Sequence, residues 1–261
     1  MIRKLWNSAA GMLAQSFKID VIANNVANVN TTGFKKKEVQ FQDLLYRPVE
    51  SPGAPTVPGS GENLLIGQGV RPSLTQTYFM QGILQETGRE LDMGIEGEGF
   101  FRILLPDGRQ GFTRAGAFIL DANLNLVTDD GYRADLLPPE LRGLDFASIS
   151  VEAHGALRLL DGDGEVIGEG RASLFRFTNP EGLEAIGKNL WVATENSGEP
   201  QRGRPGDEGF GLLKQKFLEQ SNVSLLEEMT RLILAQRGYE ISSRAVRTAD
   251  DMWSMANQIR K

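Results

Sequence analysis

LWNSAAGMLAQSFKIDVIANNV, residues 5–26, and LLEEMTRLILAQRGYEISSRAVRTADDMW, residues 225–253, are the two stretches whose reading decides the fold. In the first, Leu5, Met12, Ile19 and Val26 recur every seven residues, and in the second Leu225, Leu232, Tyr239, Val246 and Trp253 do the same. A seven-residue apolar period is the seam of a coiled coil, here divided between the two ends of one chain. Small residues flank both rows: Ala9, Ser16 and Ala23 in the first, Ala235, Ser242, Ala249 and Ala256 in the second. They let helix axes approach closely. Two ordinary amphipathic helices resting on a core would also carry stripes; the pairing of two regular series at opposite termini favours a terminal helical pair.

Working outward, the first helix is expected over Ile2 to Asn28, about 40 Å at 1.5 Å per residue. Its polar face holds only Arg3, Lys4, Lys18 and Asp20 as charges, beside neutral Asn7, Ser8, Gln15, Asn24, Asn25 and Asn28. A helix so lightly charged expects neighbours on both faces. Asn30, Thr31, Thr32 and Gly33 then stop it, Gly33 being free to adopt a left-handed conformation. From 46 to 72, Pro48, Pro52, Pro55, Pro58 and Pro72 alternate with glycines, which excludes helix and central strand; Val49 to Gly67 reads as a semi-rigid brace. Short runs with turn residues between them follow, Phe101 to Leu105, Ala117 to Leu120, Leu126 to Thr128, Ile149 to Val151, Ala156 to Leu160, Leu174 to Phe177 and Leu190 to Ala193, and read as antiparallel strands. A second breaker run, Asn196 to Gly211, leads to a final helix from about Val223 to Ile259.

The expected fold class is therefore α+β, with paired N- and C-terminal coiled-coil helices, a central antiparallel all-β domain and an extended Pro/Gly-rich connector. The expected partition is 1–30 with 220–261 as a helical assembly domain, 31–90 with 194–219 as connector, and 91–193 as the β domain.

Composition narrows the function. Net charge is −6 and the isoelectric point is near 5.1, so nucleic acid is not an expected partner, and the run Lys35, Lys36, Lys37 reads as a solvated turn edge. Cysteine is absent and His154 is the single histidine, which leaves no ligand set for zinc and little for a histidine triad. The acidic loops at Asp161, Asp163 and Glu165 and at Asp121, Asn123 and Asn125 lack the glycine and glutamate that a calcium loop requires, and read as hairpin turns. Gly94, Gly97 and Gly99 make no dinucleotide fingerprint. No catalytic, cofactor or metal residue is expected. No stretch approaches the ~20 apolar residues of a membrane span, and Asn7, Ser8, Gln15, Ser16, Lys18 and Asp20 interrupt what would have to be a cleaved signal.

Residues 23–34 read Ala-Asn-Asn-Val-Ala-Asn-Val-Asn-Thr-Thr-Gly-Phe. This closely resembles the N-terminal signature of bacterial flagellar rod and hook proteins, with Asn25, Asn28, Gly33 and Phe34 as its marked positions. Three further blocks resemble the same family in the same order: Leu91 to Phe101, with Gly94, Gly97, Gly99, Phe100 and Phe101; Phe112, Thr113, Arg114, Gly116 and Phe118; and Glu219 to Val223 followed by Ala235, Gln236, Arg237, Tyr239 and Glu240. Gly238 departs from the small alanine of the pattern and is expected to loosen the helix, at roughly 1 kcal/mol. Length and the Pro/Gly segment are most similar to the distal rod member, with a proximal rod member as the alternative.

The resemblance implies a structural homo-oligomer, exported by the flagellar type III apparatus without a cleaved signal and assembled as a helical polymer around a channel. Its implied place is the basal-body rod crossing the periplasm, in contact with proximal rod proteins, hook protein and the P and L ring proteins, with no nucleic acid, membrane insertion, cofactor or catalysis. Readings from other classes are a secreted glycan-binding or hydrolytic β domain with helical dimerisation arms, which would need a cleft with paired carboxylates or aromatic platforms, and a cytoplasmic coiled-coil adaptor, which would stop at a defined dimer. On the polymer reading, Leu232→Asp is expected to block polymerisation and leave the β domain folded, because a carboxylate in the seam is costly to bury. Sedimentation of the variant beside wild type checks this, and normal rods would show the register of the seam to be wrong.

Overall fold

A computed structural model describes residues 2–48, 65–138, 141, 144 and 146–259. Two helices bracket a run of short strands: α1 spans Ile2–Ala27 and α2 spans Leu225–Ile259. The chain divides into two compact units. One comprises Met1–Val26, Lys37–Gln76 and Ser224–Lys261; the other comprises Ala27–Lys36 and Thr77–Val223. Most of the expected brace, 49–64, lies outside the described residues.

In the helical unit α1 and α2 run antiparallel. Asn25 Nδ2 donates to Glu228 Oε2 at 3.0 Å, Gly238 lies against the Gln15 side chain, and Gly11 lies against Ser242. As α1 is followed back from 25 to 15 to 11, its partner climbs from 228 to 238 to 242, so one register is kept along the pair. At Gly238 a Cβ would stand 3.1 Å from the Gln15 amide carbon. The glycine expected to loosen α2 instead makes room for Gln15. The remaining strands of this unit are short ladders, Lys37–Asp43 beside Val70–Thr77 and Arg47–Pro48 beside Leu65–Ile66. Pro72 sits in a two-stranded ladder, where no central position exists for it to break.

In the β unit the strands Glu184–Gly187, Leu190–Val192, Gln110–Thr113, Phe101–Leu104, Arg133–Ala134, Leu126–Thr128 and Phe118–Leu120 form one seven-stranded antiparallel sheet in that spatial order. Ser148–Val151, Ala156–Leu160 and Val166–Arg171 make a second, three-stranded sheet. Alternation along the strands sorts two cores. Phe101, Ile103, Phe118, Leu126, Ile149, Leu157 and Leu159 fill the larger one, where the Phe101 and Phe118 rings meet edge to face at 5.4 Å. Phe100, Phe112, Phe175, Phe177 and Trp191 fill an aromatic core, in which Phe112 meets Phe177 edge to face at 4.8 Å. Edge-to-face contacts add about 0.5–1.5 kcal/mol each to the burial of the rings.

The stretch 194–219, expected as connector, carries three short strands. Gln201–Gly203 pairs with Leu174–Arg176, Leu212–Gln215 with Met93–Glu96, and Phe217–Glu219 with Leu84–Glu86, all antiparallel. The last two are separate because Lys216, at φ +66, turns the chain out of one ladder and into the next; each is three or four residues long, too short for alternation to stand out. Likewise the expected connector 31–90 is shared: 37–76 belongs with the helices and 77–90 with the β unit.

The closing strands set where proteolysis should stop. A resistant core is expected to run from near Thr77 to near Val223, because the ladders of 84–86 with 217–219 and of 93–96 with 212–215 protect both flanks. Limited digestion followed by mass measurement checks this, and a stable core ending near Ala193 would mean that those two ladders do not hold in solution.

Candidate functional site

The residues expected as the seam are distributed unequally. Leu5, Met12, Ile19 and Val26 on α1 and Leu232 and Val246 on α2 are half-buried, whereas Leu225, Tyr239 and Trp253 are exposed. The fully covered row of α2 is the small one: Ala235 and Ala249 are buried, Ser242 is half-buried, and Glu228 continues the same seven-residue spacing. On α1 the covered residues are Ala14, Ile22 and Asn25, and the small residues Ala9 and Ala23 are exposed. A Cβ on Gly11 would already stand 3.3 Å from Ser242 Oγ. At such a separation large side chains cannot lie between the axes, so they turn outward. Trp6, Leu13 and Phe17, spaced along one stripe of α1, are 72, 56 and 44% exposed.

The marked positions of the N-terminal signature each hold backbone. Asn25 is buried; its Nδ2 donates to Lys37 O at 2.8 Å as well as to Glu228, and its Oδ1 accepts from Lys37 N at 3.0 Å. Only an amide side chain offers donor and acceptor together in this way. Asn28 stops the helix, its Oδ1 accepting from Thr31 Oγ1 and its carbonyl from Thr31 N. Gly33, at φ +67, runs so close to Ala115 that a Cβ would lie 2.6 Å from that residue's nitrogen, and Gly33 N donates to Glu219 O at 2.7 Å. Phe34 is buried beside it in sequence, and its carbonyl accepts from Asn222 N.

Glu219 gathers the rest. Its Oε1 accepts from Lys35 Nζ at 2.6 Å and from Gly82 N at 2.8 Å, and its Oε2 faces Arg114 Nη1 at 3.4 Å. Lys35 Nζ also donates to Met80 O, and Arg114 Nη2 to Gly97 O. Asn222 Oδ1 accepts from Lys36 N while its Nδ2 donates to Tyr78 O and Met80 O. Residues from all four blocks quoted for the resemblance thus meet within the β unit. Lys35 is the main correction: expected on a solvated turn edge, it has no side-chain exposure. Burial pushes its amine below the ordinary lysine value, the Glu219 carboxylate opposing that shift and Arg114 adding to it. Burial also lowers Arg114. The available signal was that Arg114 and Glu219, of opposite charge, both stood inside blocks otherwise made of glycine, aromatic and amide residues. His154, by contrast, lies exposed in the turn after Ser148–Val151.

The arrangement is a buried joint. Glu219→Gln strands two buried cations and is expected to cost about 3–5 kcal/mol, whereas Lys35→Met leaves Glu219 with Arg114 and the Gly82 N–H and is expected to cost less. Denaturant unfolding of both variants checks the order, and a smaller loss for Glu219→Gln would mean that the carboxylate does not organise the joint.

Three family models match the chain: "Flagella basal body rod protein" at residues 5–35, "Flagellar hook protein FlgE/F/G D1 domain" at 94–166, and "Flagellar basal body rod FlgEFG protein C-terminal" at 214–259. Among relatives, the flagellar basal-body rod protein FlgG of Borreliella burgdorferi is 44% identical, with 100% of both chains covered. That of Bacillus subtilis is 39% identical, with 97% of both covered. The flagellar hook protein FlgE of Helicobacter mustelae is 44% identical over 51% of this chain and 30% of its own. The joint around Glu219, the antiparallel terminal helices and these full-length similarities lead to one conclusion: the chain belongs to the FlgG-type flagellar basal-body rod protein family.

Proposed function

We propose that this structural rod subunit of the bacterial flagellum polymerises helically as the distal rod, a drive shaft that transmits torque and encloses the export channel. On this reading 1–30 and 220–261 are the assembly domain, its helices pairing as a coiled coil, and the rows Leu5 to Val26 and Leu225 to Trp253 take part in packing within and between subunits. The flagellar type III apparatus delivers the chain; proximal rod proteins, hook protein and the P and L ring proteins are its neighbours across the periplasm. Among the described residues no helix is long and apolar enough to cross a membrane.

The observation that carries this reading is the uncovered apolar surface of the helices. The fully covered apolar side chains of α1 are Ala14 and Ile22, worth together about 3 kcal/mol. Ordering the backbone of its 26 residues costs roughly 1 kcal/mol or more for each. Hydrogen bonds and the half-buried row offset part of that, yet Trp6, Leu13 and Phe17 on α1 and Leu226, Met229 and Ile233 on α2 stay in water. Exposed apolar stripes of this length are interfaces awaiting a neighbour, and in a chain that assembles with its own kind the neighbour is another copy. Full-length similarity to rod proteins, against partial similarity to a longer hook protein, supports rod over hook.

Electron microscopy of the concentrated protein is expected to show hollow rods. Leu13→Asp with Phe17→Asp is expected to abolish them while the thermal unfolding of the β unit stays unchanged, since both positions are exposed in the single chain. Rods of normal length from this variant would remove the α1 stripe from the interface, and a wild-type protein that remained a dimer at high concentration would favour an adaptor.

A further inference from the structure

The β unit carries a cleft of about 320 Å³ lined by Arg102, Arg171, Arg202, Ser173, Gln110 and Asp135, with apolar neighbours. Its chemistry is one-sided. Arg102 Nε and Nη2 are both turned to Asp135 Oδ2, and its guanidinium carbon lies 4.4 Å from the centre of the Phe175 ring, so this arginine is held in place and Asp135, the only carboxylate among the described residues of the lining, is engaged. Arg202 Nε and Nη2 donate to Ser173 Oγ at 3.0 and 2.9 Å, which leaves the Ser173 hydroxyl proton to donate. The Arg171 side chain makes no hydrogen bond or ion pair among the described residues. In a chain with 34 acidic against 28 basic residues, two guanidinium groups without a carboxylate in one concavity are out of keeping with the overall balance. Guanidinium forks and a hydroxyl donor fit carboxylates.

An occupant of that chemistry is present on the same unit. The hairpin joining Ala156–Leu160 to Val166–Arg171 ends in Asp161, Gly162, Asp163, Gly164 and Glu165. Its backbone closes through Asp161 N to Glu165 O and Gly164 N to Asp161 O. All three carboxylate residues are exposed and none has an ion pair among the described residues. This is the acidic loop whose sequence fails as a calcium site. It cannot reach its own cleft: Arg171 pairs with Ala156 at the opposite end of the hairpin, some six residues and roughly 20 Å from the tip at about 3.3 Å per residue.

We infer that the acidic tip at 161–165 of one copy docks in the Arg102/Arg171/Arg202 cleft of a second copy. Tip and cleft stand at opposite ends of one hairpin, so the contact is head-to-tail and can repeat from copy to copy, giving the open helix of a polymer where its rotation does not close into a ring. The inference rests on the polymer reading given above.

A charge-swap series on the full chain tests it. Asp161→Arg with Asp163→Arg, and separately Arg171→Glu with Arg202→Glu, are each expected to raise the concentration at which rods form about tenfold or more, since like charges then face each other. The four changes combined in one chain restore complementarity and are expected to bring that concentration back toward wild type. Thermal unfolding of each monomer verifies the fold, and added salt is expected to weaken wild-type assembly. Wild-type rods with unaffected variants would overturn this contact and leave the polymer standing. A defect in the cleft variant alone would overturn the tip as occupant, and a defect in both that the combined variant did not repair would overturn the pairing. A wild-type chain that formed no polymer would bring down the rod reading and this contact with it.

Discussion

A buried carboxylate cannot be left half satisfied, and Glu219 has no exposed surface. Taking an ion of that size out of water costs several kcal/mol even after relaxation, so the fold forms only where Lys35, Gly82 and Arg114 arrive together. Those three come from the turn after α1, from the segment before Leu84–Glu86 and from just past the end of Gln110–Thr113, an inner strand of the large sheet. One side chain therefore makes the position of the N-terminal turn conditional on that of the C-terminal strand. With two cations and one carboxylate the cluster is not neutral, and the carbonyls of Met80 and Gly97 share the excess donors. Such a joint contributes little net stability over an apolar substitute, but it tolerates few other arrangements of its parts.

The helical unit follows a different logic. On α2 the fully covered apolar residues are the small Ala235 and Ala249, while large ones such as Leu226, Met229 and Ile233 lie outward. Close approach of the axes at Gly11 and Gly238 yields a pair whose register is fixed by Asn25 with Glu228 while most of its apolar area stays available. The pair also has high contact order, since residue 25 meets residue 228, and contacts between positions so distant in the chain form late.

Strands that the sequence marked clearly were those flanked by turn chemistry, such as Leu126–Thr128 and Ala156–Leu160. Val166–Arg171 was hidden by Gly168 and Gly170, which sit where a Cβ would press on Leu141 and Pro138, and the closing strands were hidden by their brevity. The helices were visible through their period, but period alone does not say which of two parallel rows turns inward; that depends on the distance between axes, a property of the pair. Of the joint, Gly33 was legible as a left-handed stop. Lys35 was not, because three consecutive lysines look alike in sequence and only the middle of a folded unit distinguishes the first from the others.

The division into two units has a mechanical corollary. The chain passes between them four times, at 26/27, 36/37, 76/77 and 223/224. Two bodies joined by one backbone can swivel freely about its single bonds. Bodies joined by four cannot turn past a fraction of a revolution without winding the strands around one another, so rotation applied to either is passed to the other by covalent bonds. Four crossings of one chain are in this sense a torsion coupling made of covalent bonds alone.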